Sequence, residues 1–408
     1  MTAPPPRVAI VGGGALGSAC ALFIRRAMPQ SRVLVLERDP SYTYASSARS
    51  ASSIRQQFSS PVNIALSLFG LSFLRQPDVR DAIGLVEGGY LFLASTEGGA
   101  ATLTRNVARQ RGMGADIRLL SHAELGSMFP WLNANDVTLA SYGNAGEGWF
   151  DGFSLLRTLR QKAIDAGATF VKADVTQLEE RHGRVVGART GDGSFHECDW
   201  AVNCGGPWAA NVASQVGIDL PVCARRRTVL VLQSSEPLPN CPLLVDPCGM
   251  WFRGDGGAIL PSGQTSSSSS FKVSPTNRFI AGWGPEEAND ANDLSLDQPD
   301  VAYFEQTLWP QLAHRVPAFE SLKVTSAWAG YYEVHPLDHN AIVGPHPTRL
   351  PNLLFANGFS GHGLQHAVGV ARGIAEWIQH GNYQTIDLSP LHFDRVIKQQ
   401  PFLEENII

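Results

Sequence analysis

The chain has 408 residues, of which 44% are hydrophobic and 17% are charged, and its formal net charge is −5. This length accommodates two or three lobes, each with its own core. The mild acidity and the lack of a basic tract argue against a nucleic-acid-binding protein. No apolar run has the length of a membrane span, and the first residues lack the leader of a secreted protein. Six cysteines without a Cys-x-x-Cys pair indicate reduced thiols, so we expect a cytoplasmic protein.

The most informative motif lies near the start of the chain. An apolar run over 7–11 predicts a strand, a Gly-x-Gly-x-x-Gly turn over 12–17 follows it, and 19–26 predicts a helix. A second predicted strand, over 31–37, ends at Glu37. Such glycines permit a tight turn and let backbone N–H groups approach a pyrophosphate, which the helix N-terminus also favours. The acid is placed to accept hydrogen bonds from an adenosine ribose. The unit predicts a dinucleotide-binding site.

The following elements alternate between helical and extended patterns. Helices are predicted over 61–75, 97–111 and 151–166, and strands over 88–95, 168–175, 175–180, 184–190 and 194–202, with the last three as antiparallel arms. Residues 222–330 are rich in strand patterns. Within them, 264–277 contains five consecutive serines at 266–270. This composition predicts a mobile surface loop, with an active-site lid as the alternative.

Two more strand–glycine turn–helix junctions occur later in the chain. A predicted strand over 200–203 runs into Cys-Gly-Gly-Pro-Trp at 204–208. A second, starting at Leu353, runs into Asn-Gly-Phe-Ser-Gly-His-Gly at 357–363 and then into a helix that ends near Gln379. Three such junctions predict one large cofactor that is held by distant pieces of the chain.

Together these junctions resemble the D-amino-acid oxidase, sarcosine oxidase and glycine oxidase superfamily of FAD-dependent amine oxidoreductases. The resemblance extends from Val8 to about Asp394, and the motifs that carry it lie at 11–17, 37–38, 45–50, 203–208 and 357–363. Within the superfamily, the chain is most similar to a mitochondrial FAD-dependent oxidoreductase domain-containing branch that is linked to respiratory complex I assembly. That similarity lies at 54–58, 328–332 and 384–390. Dimethylglycine and sarcosine dehydrogenases resemble this chain as more distant relatives.

The resemblance implies FAD rather than NAD and an α/β fold of two lobes. A Rossmann-like FAD-binding lobe has a parallel sheet with helices and a β-hairpin layer, and a mixed or antiparallel sheet lobe binds substrate over the flavin ring. The FAD-binding domain would be discontinuous and comprise 1–86, 146–221 and 328–408. The substrate-binding domain would comprise 87–145 and 222–327.

The resemblance also assigns positions along the cofactor. Adenosine would lie at Glu37 with adenine near Val175, the diphosphate at 12–17, and the ring between 46–50 and 361–365. In the family, the helix that begins near His362 faces the C2 carbonyl of the flavin, where negative charge accumulates on reduction. The residues expected to bind FAD are Gly12, Gly14, Ala15, Leu16, Gly17, Glu37, Arg38, Ser46, Ser47, Arg49, Ser50, Val175, Cys204, Gly205, Trp208, Gly330, Gly361, His362, Gly363, Leu364 and Gln365.

Four residues are expected to act on the substrate. Arg55 would hold the substrate carboxylate with its planar guanidinium, and a pairing with a surface acid is the alternative. Gln365 occupies a position where some relatives carry a lysine that shares this carboxylate, which puts simple sarcosine in doubt. Tyr332 and His335 would lie near the amine, where a histidine can assist deprotonation. A structural hydrogen bond is the alternative role of His335. Prolines among the C-terminal histidines and the lack of an acid cluster argue against a metal site.

Two departures from the sarcosine oxidase pattern bear on the chemistry. The stretch 328–333 has no cysteine that could tether the flavin, so we expect non-covalent FAD, with a link through a histidine elsewhere as the alternative. The stretch 279–283 has no lysine to activate O2, which favours a dehydrogenase with another electron acceptor.

The sequence therefore predicts oxidation of the C–N bond of a secondary or N-alkylated amino acid, such as sarcosine, dimethylglycine or an imino acid, to an imine. O2 and another electron acceptor both stay open. The alternatives are a flavoprotein that acts mainly as an assembly or binding partner, and an oxidoreductase of D-amino or 2-hydroxy acids. A monomer and a homo-oligomer are equally compatible with the sequence.

Overall fold

A computed structural model of the protein describes residues 4–255, 259–260, 272–285, 290–292 and 294–405. Its strands are β1 (Arg7–Val11), β2 (Arg32–Glu37), β3 (Ser53–Ile54), β4 (Tyr90–Ala94), β5 (Ile117–Leu120), β6 (Leu139–Gly143), β7 (Gly148–Trp149), β8 (Thr169–Lys172), β9 (Val175–Arg181), β10 (Arg184–Thr190), β11 (Phe195–Glu197), β12 (Trp200–Asn203), β13 (Cys223–Leu238), β14 (Leu243–Val245), β15 (Trp251–Gly254), β16 (Ile259–Leu260), β17 (Lys272–Val273), β18 (Thr276–Gly282), β19 (Lys323–Val334), β20 (Ile342–Pro345) and β21 (Leu353–Asn357). Its α-helices are α1 (Ala15–Ala27), α2 (Pro61–Leu74), α3 (Pro77–Ile83), α4 (Glu97–Gly112), α5 (His122–Met128), α6 (Gly152–Asp165), α7 (Ala209–Ser214), α8 (Trp309–Arg315), α9 (Gly363–His380) and α10 (Asp394–Ile397).

A six-stranded sheet in the order β20-β21-β12-β1-β2-β8 forms the first layer. All its neighbours run parallel except the edge pair of β20 and β21. Helices α1, α2, α6 and α9 cover one face, and the small sheet β11-β10-β9 with α7 covers the other. Since β1 is buried on both faces, its apolar run is unbroken rather than alternating.

The strand predicted over 194–202 is divided in the structure. Its first part, β11, pairs with β10, whereas its second part, β12, joins the parallel sheet beside β1. Asp199 lies at the break, where its carboxylate accepts hydrogen bonds from the backbone N–H of Arg7 at 2.8 Å and from its guanidinium. This ion pair ties the start of β1 to the point where the chain changes sheets.

The second layer is an eight-stranded sheet in the order β19-β13-β18-β15-β14-β4-β6-β5. Its neighbours are antiparallel except for the parallel pair of β14 and β4, so the sheet is mixed. A cluster of edge-to-face rings (Phe252, Phe279 and Phe319) lies in its core. The predicted fold class, with a parallel sheet, a β-hairpin layer and a mixed sheet, is confirmed.

The strands of the mixed sheet come from 90–143 and 223–334. The division of the chain into the domains expected from the sequence stays a prediction. Residues 264–271 of the serine-rich segment lie outside the described residues, while 272–273 and 276–277 belong to strands. Across the part of the chain that the structure describes, no helix is both long and apolar enough to cross a bilayer.

Candidate active site

A cavity of about 860 Å³ lies between the two layers. The carboxyl ends of β1, β2, β8, β12 and β21 open into it from the parallel sheet, which is where doubly wound folds bind ligands. The mixed sheet closes it through residues of β4, β13, β15 and β19. All three glycine junctions therefore meet at one cavity. The predicted residues that line it are Gly12, Gly14, Ala15, Leu16, Gly17, Glu37, Arg38, Ser46, Ser47, Arg49, Ser50, Arg55, Val175, Cys204, Gly205, Trp208, Gly330, Tyr332, Gly361, His362, Gly363, Leu364 and Gln365.

The first junction has no room for side chains at two of its glycines. Gly12 has a φ of +97°, and a Cβ there would lie 2.3 Å from the carbonyl oxygen of Cys204. A Cβ on Gly17 would lie 1.9 Å from the carbonyl oxygen of Gly12. A Cβ on Gly14 would have Ser47 Oγ as its nearest atom, at 3.6 Å, so this glycine borders open space. The backbone is thus exposed to the cavity where α1 begins, as an anion site requires.

Glu37 holds the turn that it faces. One carboxylate oxygen accepts a hydrogen bond from the backbone N–H of Gly13 at 2.7 Å, and the other accepts from Asp39 N–H at 2.8 Å. Desolvation raises the pKa of Glu37, and these two donors oppose that rise. At the same end of the cavity, the guanidinium of Arg38 lies 3.8 Å from the centre of the Trp208 ring. This pair forms a cation–π contact at the end expected to hold adenosine.

The third junction brings α9 to the other end of the cavity. Gly361 has a φ of +104°, and a Cβ there would lie 2.6 Å from the ring of Tyr332. The helix begins two residues later, at Gly363, with His362 as its N-cap. Its unpaired N–H groups and positive dipole end therefore face the cavity. A Cβ on Gly330 would also be crowded, at 3.0 Å from Arg49 Cβ.

Arg55 is buried at this end, with 4% of its surface exposed. Its guanidinium carbon lies 4.6 Å from the ring centre of Phe58, 5.3 Å from that of Phe92 and 5.8 Å from that of Tyr90. Nη2 lies 3.2 Å from Nε2 of His362. Nη1 is buried and has no hydrogen-bond partner among the described residues. A buried donor on a charged group is costly unless a ligand pairs with it.

The histidines beside Arg55 are neutral. Burial and the adjacent guanidinium hold the pKa of His362 well below its ordinary value. The same causes lower the pKa of His366 to about 3, and its Nε2 lies 3.0 Å from Ser67 Oγ. A neutral His362 can accept a hydrogen bond from Arg55 through Nε2. Of the three side chains Arg55, His362 and His366, only Arg55 therefore carries a positive charge.

Gln365 supports Arg55 through the main chain. Its Oε1 accepts a hydrogen bond from the backbone N–H of Arg55 at 2.9 Å. The neighbours Gln56 and Gln57 donate their backbone N–H groups to one carboxylate oxygen of Glu147, a buried acid that the sequence analysis missed. Burial raises the pKa of Glu147 to about 7. The loop that carries Arg55 is therefore held from both sides.

His335 does not line this cavity, so the structure does not bring it together with the other residues expected to act on the substrate. It is fully buried, and its Nδ1 lies 2.9 Å both from the carbonyl oxygen of Asn340 and from Oδ1 of Asp338. Arg395 also donates to Asp338, at 2.7 Å. Burial alone would raise the pKa of Asp338, but the hydrogen bonds from His335 and Arg395 hold this pKa below its ordinary value. These contacts beyond the end of β19 favour the structural hydrogen bond that was the alternative role of His335, and its role in catalysis stays a prediction.

The structure adds cavity residues that have no sequence motif. Tyr90 from β4 lines the cavity, and removal from water raises its pKa. Arg227 from β13 lies 5.4 Å from the ring centre of Tyr332 and donates two hydrogen bonds of 2.7 Å to Asp290. Glu333 from β19 also lines the wall. Only the pairing of distant strands brings these residues together, so no local sequence pattern indicates them.

Within the described residues, no group of three or more His, Cys, Asp or Glu is arranged to hold a metal ion.

The profile of the family described as "DAO: FAD dependent oxidoreductase" matches residues 7–377. The chain belongs to this family. This DAO-family protein is 38% identical to FAD-dependent oxidoreductase domain-containing protein 1 of Xenopus laevis, over 99% of this chain and 86% of that protein. It is 26% identical to mitochondrial sarcosine dehydrogenase of Mus musculus, over 92% of this chain and 40% of that protein. The fold matches the crystal structure of L-proline dehydrogenase from P. horikoshii with a TM-score of 0.83 at 21% identity, over 98% of this chain and 100% of that one.

The cavity of this DAO-family oxidoreductase fits FAD. Its glycine turns leave no room for a Cβ at Gly12, Gly17 and Gly361, and the N-termini of α1 and α9 open into it. Four polar atoms of residues at its wall are buried and have no hydrogen-bond partner among the described residues, namely Arg55 Nη1, Ser46 Oγ, Gln215 Oε1 and Glu333 Oε2. The predicted superfamily is confirmed, and with it the dependence on FAD.

Proposed function

We propose that this protein oxidises the C–N bond of a secondary or N-alkylated amino acid to an imine. The observation that carries the proposal is the guanidinium of Arg55, whose buried Nη1 has no partner among the described residues while the group lines the cavity. A carboxylate is the ligand that matches a planar guanidinium best. The similarity to sarcosine dehydrogenase supports an amino acid with a substituted nitrogen.

In the proposed reaction, Arg55 binds the substrate carboxylate and orients the carbon next to the nitrogen. FAD, when bound, accepts a hydride from that carbon. The C–H bond breaks and its electron pair leaves with the hydrogen, while the nitrogen lone pair forms the C=N bond of an iminium ion. The N–H proton of a secondary amine then leaves to give the imine, which water later hydrolyses. The rings of Tyr90 and Tyr332 exclude water from the reacting atoms, since both line the cavity. The amine must be neutral, and its proton leaves to solvent before the hydride transfer.

The polar groups around Arg55 bear on the size of the substrate. Gln365 replaces the lysine of some relatives and is engaged with the backbone of Arg55, so a single cation holds the carboxylate. Tyr90, Tyr332 and Trp251 line the cavity with aromatic surface. We propose that a ring or a bulky substituent on the substrate, rather than a bare N-methyl group, contributes the remaining binding energy through apolar contact.

We further propose non-covalent FAD and an electron acceptor other than O2. The stretch 328–333, where a tether would lie, contains no cysteine. Cys204 lines the cavity, but its contact with Cys20 and its burial raise the pKa of the thiol well above its ordinary value, so it stays protonated and unreactive. Among the described residues, no lysine lines the cavity. Without such a lysine, and with Arg55 proposed to be engaged by the substrate carboxylate, a forming superoxide anion lacks a stabilising partner.

Anaerobic mixing of the flavin-loaded protein with a panel of N-methyl amino acids, cyclic imino acids, D-amino acids and 2-hydroxy acids tests the proposal. Bleaching of the flavin absorbance by one of the first two classes is the expected result. Bleaching by 2-hydroxy acids or D-amino acids alone would contradict it. If no compound reduces a fully loaded flavin, the alternative of an assembly or binding partner gains support. Admission of O2 to the reduced protein then separates an oxidase from a dehydrogenase.

A further inference from the structure

Glu333 is an acid at the cavity wall that has no charged partner among the residues that the structure describes. It lies in β19 opposite Ala224 of β13 and close to the end of the strand. It lines the cavity, yet its Oε2 is shielded from solvent and has no hydrogen-bond partner among the described residues. An ionised carboxylate in this position would hold a negative charge that nothing neutralises, which is costly.

The surroundings of Glu333 determine whether its carboxyl group is protonated or ionised. The groups that face it are the backbone N–H groups of Gly358 and Phe359, Ala224 on β13, and the thiol of Cys204 beyond β12. The thiol is itself neutral because of its own raised pKa. Burial raises the pKa of Glu333 to about 8, and the two backbone donors offset only part of that rise. At neutral pH the carboxyl group is therefore protonated.

The position of Glu333 along the cavity indicates which part of the cofactor it would contact. On one side it is next to Cys204, whose carbonyl oxygen contacts the Gly12 turn that faces the diphosphate position. On the other side it is next to Phe359, which leads into the Gly361 turn at the ring position. The chain that joins the ring of FAD to its adenosine would pass between these points. That chain is rich in oxygen acceptors and ends in an anionic diphosphate.

We infer that Glu333 is a cofactor-binding residue that acts as a neutral acid and donates its carboxyl proton to an oxygen acceptor of the FAD chain between the ring and the adenosine. A carboxyl group that is protonated at neutral pH gains a hydrogen bond with the cofactor, whereas a carboxylate would repel the diphosphate. The inference goes beyond amine oxidation, because it concerns only how FAD is held.

The test is the dissociation constant of FAD as a function of pH, from the fluorescence of flavin released on dilution of the holoprotein. Ionisation of the acid above its pKa of about 8 must be reversed before FAD binds, so affinity falls with rising pH. For the wild-type protein we expect a Kd at pH 9.5 at least about tenfold above that at pH 7. Glu333→Gln keeps a donor but cannot ionise, so its Kd changes by less than about threefold over the same range.

Glu147→Gln is the matched control. Glu147 is also a buried acid with a raised pKa of about 7, but both its oxygens accept hydrogen bonds and it does not line the cavity. This variant should keep the pH profile of the wild type. The inference fails if the wild-type Kd is flat from pH 7 to 9.5, if the profile of Glu333→Gln follows that of the wild type, or if Glu147→Gln alone abolishes the dependence.

Infrared difference spectra give a second measurement that needs no change in affinity. The holoprotein at pH 7 should show a carboxylic acid C=O band that Glu333→Gln lacks and Glu147→Gln retains. Absence of that difference would overturn the inference. If Glu333→Gln does not fold, the pH profile of the wild-type protein still decides. Neither readout depends on a substrate, so failure here is distinct from a failure to find amine oxidation.

Discussion

The backbone N–H of Arg55 donates a 2.9 Å hydrogen bond to Oε1 of Gln365, a residue 310 positions later in the chain. This contact joins the loop after β3 to the first turn of α9. Both residues also line the cavity. The position of Arg55, which we propose to bind substrate, is therefore coupled to the junction at which α9 begins.

Loss of this contact should weaken substrate binding more than FAD binding. Gln365→Leu leaves the buried N–H of Arg55 without an acceptor, at a cost of about 1–3 kcal/mol. We expect the KM of the substrate that reduces the flavin to rise roughly 5- to 100-fold, because 1.4 kcal/mol corresponds to a factor of ten. Gln161→Leu on the exposed face of α6 is the control. A variant Gln365→Leu with an unchanged KM would show that the contact does not position Arg55.

Removal of the Arg55 guanidinium should lower the activity without lowering the stability of the protein. Arg55→Met is expected to lower the second-order rate of flavin reduction roughly 100-fold, because the charged hydrogen bonds to the carboxylate are lost. The melting temperature should stay the same or rise, since a buried charged group disappears whose Nη1 has no hydrogen-bond partner among the described residues. Arg253→Met is the contrast, because that side chain donates to the carbonyl oxygens of Gly254 and Ala51. We expect Arg253→Met to melt at a lower temperature, as measured by circular dichroism.

The turn at Gly361 should tolerate no side chain. Gly361→Ala combines a φ of +104° with a Cβ at 2.6 Å from the Tyr332 ring, so the turn must move. The flavin content per mole of purified protein, measured by absorbance, should fall strongly. Gly98→Ala on α4, where a Cβ would meet nothing, should leave flavin content unchanged and stabilise the protein by at most about 1 kcal/mol. Equal flavin content in both variants would contradict the expectation that the Gly361 turn is needed to bind FAD.

Glu404 should be important for stability. Its carboxylate accepts hydrogen bonds from Ser59 N–H at 2.6 Å, from Ser59 Oγ at 2.5 Å and from Asn63 at 2.7 Å, beside the start of α2. Glu404→Ala leaves these buried donors unpaired, and we expect a loss of about 2–4 kcal/mol in the free energy of unfolding by urea. Glu405→Ala, which removes an exposed ion pair with Arg105, should cost less than about 1 kcal/mol. Similar losses in the two variants would be the contrary result.

His366 should make stability depend on pH. Its folded-state pKa of about 3 lies below the ordinary histidine value, so between these two values the unfolded chain binds the extra proton. Stability therefore rises with pH across this interval, by at most about 1.4 kcal/mol per pH unit from this residue. Urea denaturation of His366→Gln from pH 4 to 6.5 should show a shallower slope than the wild type. His380→Gln, at the exposed end of α9, should leave the slope unchanged.

The sequence predicted the features that depend on local spacing. The glycine turns could be assigned because their function follows from the few residues around them, and the structure brings all three to one cavity. The sequence could not show that His335 lies away from the cavity lining, because its contact with Arg395, 60 positions away, follows from the tertiary fold and not from a local pattern. Glu147 and Glu333 could not be assigned for the same reason. Their chemistry depends on what the paired strands place around a carboxyl group, and a single sequence does not state those pairings.

The strand order of the parallel sheet has a consequence for biosynthesis. β21 is inserted beside β12, although about 150 residues separate the two along the chain. During translation, the βαβ unit at the start is complete long before its last neighbour leaves the ribosome. The nucleotide end of the cavity can thus form early, but the ring end lacks the wall that the third glycine junction supplies until α9 emerges. Stable capture of the flavin must then wait until nearly the whole polypeptide has been made.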